Sequence, residues 1–264
     1  MHGTPGPVTI DLNMLMRAYA IGIFPMADAR DDVDVFWVEP EMRAILPLDG
    51  FRFSTSLRKA VRQDRFTVTC NRAFARVIAM CAESAQGREQ TWINRTIEAS
   101  FIALHKQGRA HSIECWRDGE LVGGLYGVEI GRAFCGESMF SRETDASKVA
   151  LAWLVALLRK GGYRLLDCQF MTEHLASLGA VPIARDEYLA RLTDAVANGA
   201  AQPLPDAYVS LLGSAGAASG VGVGEGRGVA AGAGAAGGDG AAAPREADPS
   251  SPGKVILQSL TQTS

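Results

Sequence analysis

Two short stretches of the chain gather side chains of the kind that hold cations and handle protons. The first is Glu137, Ser138, Ser141 and Arg142, within Cys135-Gly-Glu-Ser-Met-Phe-Ser-Arg142. The second is Asp167 with Gln169, in Leu166-Asp-Cys-Gln169. A carboxylate beside a carboxamide can orient an amine, anchor a cation or relay a proton. Each group stands where an apolar strand pattern ends, and such rims host sites in open sheets. A second reading stands beside this one: Glu137 and Asp167 could pair with Arg142 or Arg164 in a purely structural network, and spacing alone does not separate the two.

Other chemistries find little support. The four histidines show no HxxxH or HExxH spacing, so no metal site is expected. No serine sits in a GxSxG elbow, and Ser138 and Ser141 read as N-caps of the following helix. Gly123-Gly124-Leu-Tyr-Gly127 lacks the GK[ST] ending of a phosphate loop and lies inside a strand pattern, where glycines permit a bulge or a close approach. Arg58, Lys59, Arg62 and Arg65 form a basic patch, with Arg58, Arg62 and Arg65 on one helical face. It reads either as a solvated face or as a grip on phosphates. Phe36, Trp37, Trp92 and Phe101 are stacking candidates that could equally be core.

These groups need elements to place them. Asp11 can cap a helix with Leu12, Leu15, Met16 and Tyr19 on one face, stopped by Gly22, after which Ile23-Phe24-Pro25 leads into a loop. Phe36-Trp37 and Ile45-Leu46-Pro47 are apolar islands. A short basic helix spans Ser56–Asp64, a strand Phe66–Cys70, and a helix capped by Asn71 turns Phe74, Val77, Ile78 and Cys81 inward. Ile97, Phe101 and Leu104 mark another helix, ended by Gly108. Ala110–Trp116, Leu121–Glu129 and Ala133–Glu137 form an antiparallel meander, its first turn carrying the Asp118-Gly119 hairpin signal. A helix over Ala146–Lys160, a strand over Tyr163–Gln169, a short helix at Thr172–Leu178 and a helix over Asp186–Asn198 follow. This order suits an α+β fold. The expected organisation is a small N-terminal domain over 1–45, a main domain over 46–204 and a tail over 205–264.

The bulk properties agree. The chain has 264 residues, 47% of them hydrophobic and 21% charged, enough for a sizeable core. Gly213–Ala243 is nearly all Gly and Ala and reads as disordered, and the Val255–Leu260 island reads as a solvated end, so the tail is expected to be a passive extension. The formal net charge of -3 does not announce a nucleic-acid binder, so any RNA contact must come from a local patch. No apolar run is long enough to span a membrane, the start lacks a secretory pattern, and five cysteines without a CxxC pair fit reduced thiols. A cytoplasmic monomer without cofactor is expected.

Several segments in one order carry a resemblance. They are Tyr19-Ala-Ile-Gly-Ile-Phe-Pro25, Phe36-Trp37 with Pro40 and Arg43, Thr91-Trp-Ile-Asn-Arg95 and His111-Ser-Ile-Glu114. Leu121-Val-Gly-Gly-Leu-Tyr-Gly-Val128, Phe134–Arg142, Ala146-Ser-Lys148, Asp167-Cys-Gln169 and His174-Leu-Ala-Ser-Leu-Gly179 follow. Over roughly Leu12 to Asn198 the chain resembles the leucyl/phenylalanyl-tRNA–protein transferases. The resemblance implies an acyl-CoA N-acyltransferase-like fold with a small N-terminal domain. It also implies transfer of Leu or Phe, and less readily Met, from aminoacyl-tRNA to an N-terminal Arg or Lys of an acceptor protein, marking that protein for degradation. It assigns Asp167 and Gln169 to the reacting amine, Glu137 to the acceptor side chain, and Leu125, Phe134, Leu154, Leu158 and Leu166 to an aminoacyl pocket. Trp37 and Trp92 would meet the terminal adenosine, and Arg58, Lys59, Arg62 and Arg65 the tRNA phosphates. Met26 and Phe101 depart from the family's usual Trp and Tyr, and Leu125, Leu154 and Leu158 make the pocket more aliphatic than usual. Two rivals are an acyl-CoA-dependent N-acetyltransferase, which needs a pyrophosphate loop not evident between Glu129 and Ala150, and a non-catalytic tRNA- or peptide-binding module.

Overall fold

The computed structural model describes residues 8–83, 91–217 and 251–261. Helix α1 (Leu12–Ala20) starts where Asp11 accepts the Met14 N–H at 2.7 Å, and it ends at Ile21, one residue before Gly22. Phe24–Met26, expected as a loop, is a short strand β1 paired antiparallel with β2 (Phe36–Val38). Strand β3 (Met42–Ile45) follows, then α2 (Thr55–Arg62), capped by Ser54, and β4 (Thr67–Cys70). α2 stops at Arg62, so Arg65 lies beyond it and does not continue its face.

Helix α3 (Phe74–Ala82) buries Phe74, Val77, Ile78 and Cys81 as the periodicity requires. Asn71 does not cap it. Its φ is +61° and its side chain turns to Ser112 N–H and His111 instead. The buried Glu114 accepts the Arg72 and Ala73 N–H groups ahead of the helix. Helix α4 (Arg95–Lys106) is capped by Asn94. Strands β5 (Ala110–Arg117), β6 (Glu120–Ile130) and β7 (Ala133–Ser141) form the expected meander. Its first turn places Asp118 and Gly119 both at positive φ, the geometry an Asp-Gly hairpin favours.

Helix α5 (Ala146–Gly161) closes on Gly162 and carries the chain from β7 to β8 (Leu165–Gln169). The N-cap of α5 is Asp145, not Ser138 or Ser141, although Ser141 Oγ accepts the Ser147 N–H in the first turn at 3.2 Å. Helix α6 (Glu173–Ser177), strand β9 (Val181–Ala184), helix α7 (Arg185–Ala197), helix α8 (Leu204–Ala217) and helix α9 (Pro252–Thr261) complete the described elements.

One seven-stranded sheet runs β4-β5-β6-β7-β8-β3-β9. All its neighbours pair antiparallel except β7 and β8, which are parallel. Residues 42–45, placed by the sequence at the end of the N-terminal lobe, thus form an interior strand between β8 and β9. β9 itself has no counterpart in the sequence reading, because Val181-Pro-Ile-Ala is only four residues long and contains a proline. One core fills the sheet face under α1, α3, α4 and α7; the other fills the face under α2, α5, α8 and α9. The sheet carries α5 against glycine: a Cβ on Gly123 would stand 2.5 Å from the Ala146 Cβ.

The C-terminal region departs from a passive tail. α5 is apolar around nearly its whole circumference, so the sheet alone cannot cover it. α8 and α9 supply the second cover, burying Leu204, Ala207, Leu211 and Ile256 in the same core. Tyr208 donates to Val68 O at 2.8 Å, and Gly253 N–H donates to Asp64 at 2.7 Å. The expectation of disorder over Gly213–Ala243 falls largely on residues 218–250, outside the described residues. Within those described residues no helix is long and apolar enough to cross a membrane.

Candidate active site

The parallel pair β7–β8 is registered only over Ala133↔Leu165, Phe134↔Leu166 and Cys135↔Asp167. β7 then stays with β6, while β8 ends at Gln169, held at φ +61°. The two strands part beyond Cys135 and Asp167, and the site lies in that parting. Glu137 and Gln169 each stand two residues past the last registered pair, Glu137 as the extra residue where the β6–β7 register shifts between Gly136 and Ser138. The Gln169 amide donates to Glu137 Oε1 at 2.9 Å, and the Tyr19 hydroxyl donates to the same oxygen at 2.7 Å. Glu137 Oε2 is buried and has no partner among the described residues. Burial, first of all, raises the Glu137 carboxyl to about 7; the hydrogen bonds from Tyr19 and Gln169 pull against it.

Asp167 is fully buried and fully engaged. Arg43 grips it with two prongs, Nε to Oδ1 at 2.9 Å and Nη2 to Oδ2 at 2.6 Å. Gln169 N–H donates to Oδ1 at 2.8 Å and the Tyr188 hydroxyl to Oδ2 at 3.1 Å. Arg43 reaches Gly22 O at 3.0 Å and lies between the rings of Phe24 and Tyr188, 4.6 and 4.5 Å from their centroids. Burial works against the Arg43 charge, but its bonds to Asp167 outweigh that and hold the guanidinium above its ordinary value. The four donors occupy the lone pairs an ionised carboxylate offers. One of them fixes the backbone of Gln169 in its left-handed turn.

A cavity of about 270 Å³ opens beside this polar centre. Gln169 and Glu137 share its lining with Leu125, Leu154, Leu166 and Trp92, so six of the residues singled out from the sequence come together. Phe134 and Leu158, also expected in the wall, are fully buried and do not reach it. Phe134 lies beneath the meander, where a Cβ on Gly127 would meet its ring at 2.4 Å. Leu151, Met139 and Leu175 line the cavity in their place, together with His174. His174 Nε2 is buried without a partner among the described residues, and burial lowers its pKa. Trp37 is half exposed on β2, away from the cavity lining. Arg58, Lys59, Arg62 and Arg65 are exposed and do not line the cavity; Arg65 lies 3.6 Å from Glu143.

The partners offered by the structural reading are taken elsewhere: Arg142 pairs with Glu83, and Arg164 with Asp194 at 2.8 Å. Tyr19, Arg43 and Tyr188 were given no role from the sequence. Arg43 carried a readable signal, since a lone arginine inside Met-Arg-Ala-Ile must find a carboxylate once the strand is interior. Among the described residues no three His, Cys, Asp or Glu side chains gather as a metal site.

The family model described as "Leucyl/phenylalanyl-tRNA protein transferase" matches residues 45–193, and that of its N-terminal domain matches residues 9–41. A leucyl/phenylalanyl-tRNA–protein transferase of Novosphingobium aromaticivorans is 56% identical over 98% of this chain and 98% of its own length. The proteins of the same name from Rhizorhabdus wittichii and Zymomonas mobilis are 59% and 58% identical, covering 80% and 72% of this chain and 80% and 70% of their own lengths. A solved structure titled as L-PGS from Bacillus licheniformis aligns at 16% identity and a TM-score of 0.34, over 65% of this chain and 56% of that one, a likeness too low to bear on the fold. By two contiguous family matches and relatives identical at more than half of their aligned positions, the chain belongs to the leucyl/phenylalanyl-tRNA protein transferase family.

Proposed function

We propose that this protein transfers Leu or Phe, and less readily Met, from aminoacyl-tRNA to proteins beginning with Arg or Lys, as a cytoplasmic monomer whose products are marked for degradation. The observation that carries this reading is the Glu137–Gln169 pair on the wall of an apolar cavity. The donor is an activated ester, and an α-amino group with a pKa near 7.7–8.0 has an appreciable neutral fraction at pH 7, so no covalent nucleophile is needed. Holding amine and ester together supplies on the order of 7–11 kcal/mol.

Glu137 Oε2, without a partner among the described residues, is the anchor for the acceptor's guanidinium or ammonium. Gln169 spends its amide N–H on Glu137. Its carbonyl oxygen, unpartnered among the described residues, accepts a hydrogen bond from the attacking amine. Asp167 acts through Gln169: its carboxylate fixes the turn and its charge polarises the carboxamide. Nitrogen bonds to the carbonyl carbon, the ester C–O bond breaks, and the proton lost by nitrogen ends on the ribose oxygen. Leu125, Leu154 and Leu166 receive the unbranched-Cβ side chain, with Phe134 and Leu158 packed behind them. Trp92 meets the terminal adenosine at the cavity, with Trp37 further out, and Arg58, Lys59, Arg62 and Arg65 hold phosphates. An acyl-CoA donor fits less well, because the first N–H groups of α5, which a pyrophosphate would need, are already given to Glu143 O at 3.1 Å and Ser141 Oγ at 3.2 Å.

Purified protein with Leu-tRNA and a peptide starting with Arg should yield the Leu-Arg product. Acetylation from acetyl-CoA without aminoacyl transfer would refute the reading.

A further inference from the structure

A second opening lies on the α3–α4 side of the sheet. It is an open cleft of about 630 Å³. Arg72, Arg76, Lys106 and Trp116 line it, and none of its lining residues is acidic. The Arg72 and Arg76 guanidinium carbons both lie over the Trp116 ring, 5.1 and 5.4 Å from its centroid. Among the described residues neither arginine, nor Lys106, pairs with a carboxylate. Asp118, in the nearby turn, turns to Arg117 at 3.9 Å. The ring is fixed from behind, its Nε1 donating to Thr69 Oγ1 at 2.8 Å and Thr69 donating to the buried Glu114.

This is a rigid aromatic platform holding two planar forks in place, their side-chain donors unspent among the described residues. A chain with a net charge of -3 has here concentrated three cations whose side chains, among the described residues, make no ion pair, the buried Glu114 being engaged by Thr69, Ser112 and backbone N–H groups. Stacked guanidinium groups with free forks match phosphate oxygens, and ordering them in advance lowers the entropy lost on binding. The cleft also adjoins the active centre. Phe74 lines it, and the Phe74 ring packs 5.7 Å from that of Tyr126, which lines the aminoacyl cavity.

We propose that the Arg72–Arg76–Lys106 cleft around Trp116 binds the sugar–phosphate backbone of RNA, and that its occupant is the donor tRNA beyond the end seated in the cavity. The proposal rests on the reading of an aminoacyl-tRNA donor. Its contacts are to phosphate and ribose, so it adds affinity without reading bases.

The test compares wild type with Arg72→Gln/Arg76→Gln and with Lys106→Glu. Lys106 is exposed, so its replacement keeps the question open if loss of the stacked pair harms folding. Binding of uncharged tRNA is followed by fluorescence anisotropy across a salt series, and Leu transfer to an Arg-starting peptide is measured alongside. The slope of log K against log salt should fall by about one for each phosphate contact removed, about two for the double variant. The KM for Leu-tRNA should rise and kcat should hold. Unchanged tRNA affinity and salt slope in a folded Lys106→Glu protein would overturn the proposal. So would a polyglutamate peptide that binds wild type as tightly as tRNA and is lost in the variants, which would mark the cleft as a site for acidic protein. If wild type binds tRNA through this cleft but transfers nothing, the functional reading fails and the cleft stands.

Discussion

Glu137→Gln should make the protein more stable and less active. Burial lifts the carboxyl from its ordinary 4.5 to about 7. Below pH 4.5 the group is protonated in the folded and unfolded chain alike and costs nothing. Between 4.5 and 7 the unfolded chain has released the proton and the folded chain has kept it, so stability falls as pH rises. Above 7 the loss is complete. At about 1.4 kcal/mol for each pH unit it amounts to about 3 kcal/mol. A glutamine can accept the Tyr19 and Gln169 hydrogen bonds at its carbonyl oxygen, since both converge on Oε1 in the native protein. Its neutral NH2 then takes the place of the unpartnered Oε2. Urea unfolding at pH 8 should therefore show the variant more stable by about 2–3 kcal/mol, with the advantage gone by pH 4. In the transfer assay the same variant loses its partner for the acceptor cation, and kcat/KM for an Arg-starting peptide should drop by at least about 30-fold, equivalent to about 2 kcal/mol. If stability at pH 8 is unchanged, or the gain persists at pH 4, the buried-charge argument is wrong. If acceptor preference is unchanged, Glu137 is not the anchor.

Wild-type kcat/KM for an Arg-starting peptide should rise through about pH 7 as Glu137 ionises, and this limb should vanish in Glu137→Gln while the amine's own ionisation near 8 persists; a rate profile over pH 5–9 reads both. Arg43→Ala strips both guanidinium bonds from the buried Asp167 carboxyl and leaves it only the Tyr188 hydroxyl and the Gln169 N–H, so urea unfolding should show a loss of about 3–5 kcal/mol. Leu154→Phe fills part of the aminoacyl cavity; competition between Leu-tRNA and Phe-tRNA should shift toward Leu by about 1–3 kcal/mol, and an equal loss for both donors would place the side chain elsewhere. Leu211→Ala should cost about 2–5 kcal/mol in unfolding although it lies in the region read as a tail. Gly253→Leu should release α9, because a Cβ there would stand 1.8 Å from Val61 O; protease cleavage of the C-terminal segment should accelerate with little change in tRNA binding.

Much of the fold was legible because local physics wrote it. Apolar periodicity placed α1, α3, α4 and α7, a continuous apolar run closed by glycine placed α5, and alternation with an Asp-Gly turn placed the meander. Asn71 failed as a cap because long-range pairing with Ser112 and His111 claimed its side chain. β3 and β9 are four residues each, too short for a period to show, and their place in the sheet comes from pairing with distant strands. The role of α8 and α9 was hidden because composition averages over a Gly/Ala stretch. The clue stood elsewhere, in the lack of a polar face on α5. At the site, ordered motifs marked Glu137, Asp167 and Gln169, but not their duties. Asp167 proved to be enclosed, and only the arginine of an unrecognised strand explains how a charge is kept there. Phe134 and Leu158 were expected in the wall because apolar type does not tell a lining residue from the layer behind it.

The parting of β7 from β8 has a consequence for how this enzyme can change. The opening exists because two strands diverge, not because side chains have been trimmed to leave a hole. Leu125, Leu151 and Leu154 line it with side chains that take no part in the backbone ladder. On the proposed reading, a change in their size retunes which aminoacyl group is accepted and leaves the strands in place. The acid, amide and guanidinium at the base are bonded to one another through Asp167, so replacing any one of them disturbs the rest. Cavity wall and polar base thus rest on separate parts of one sheet.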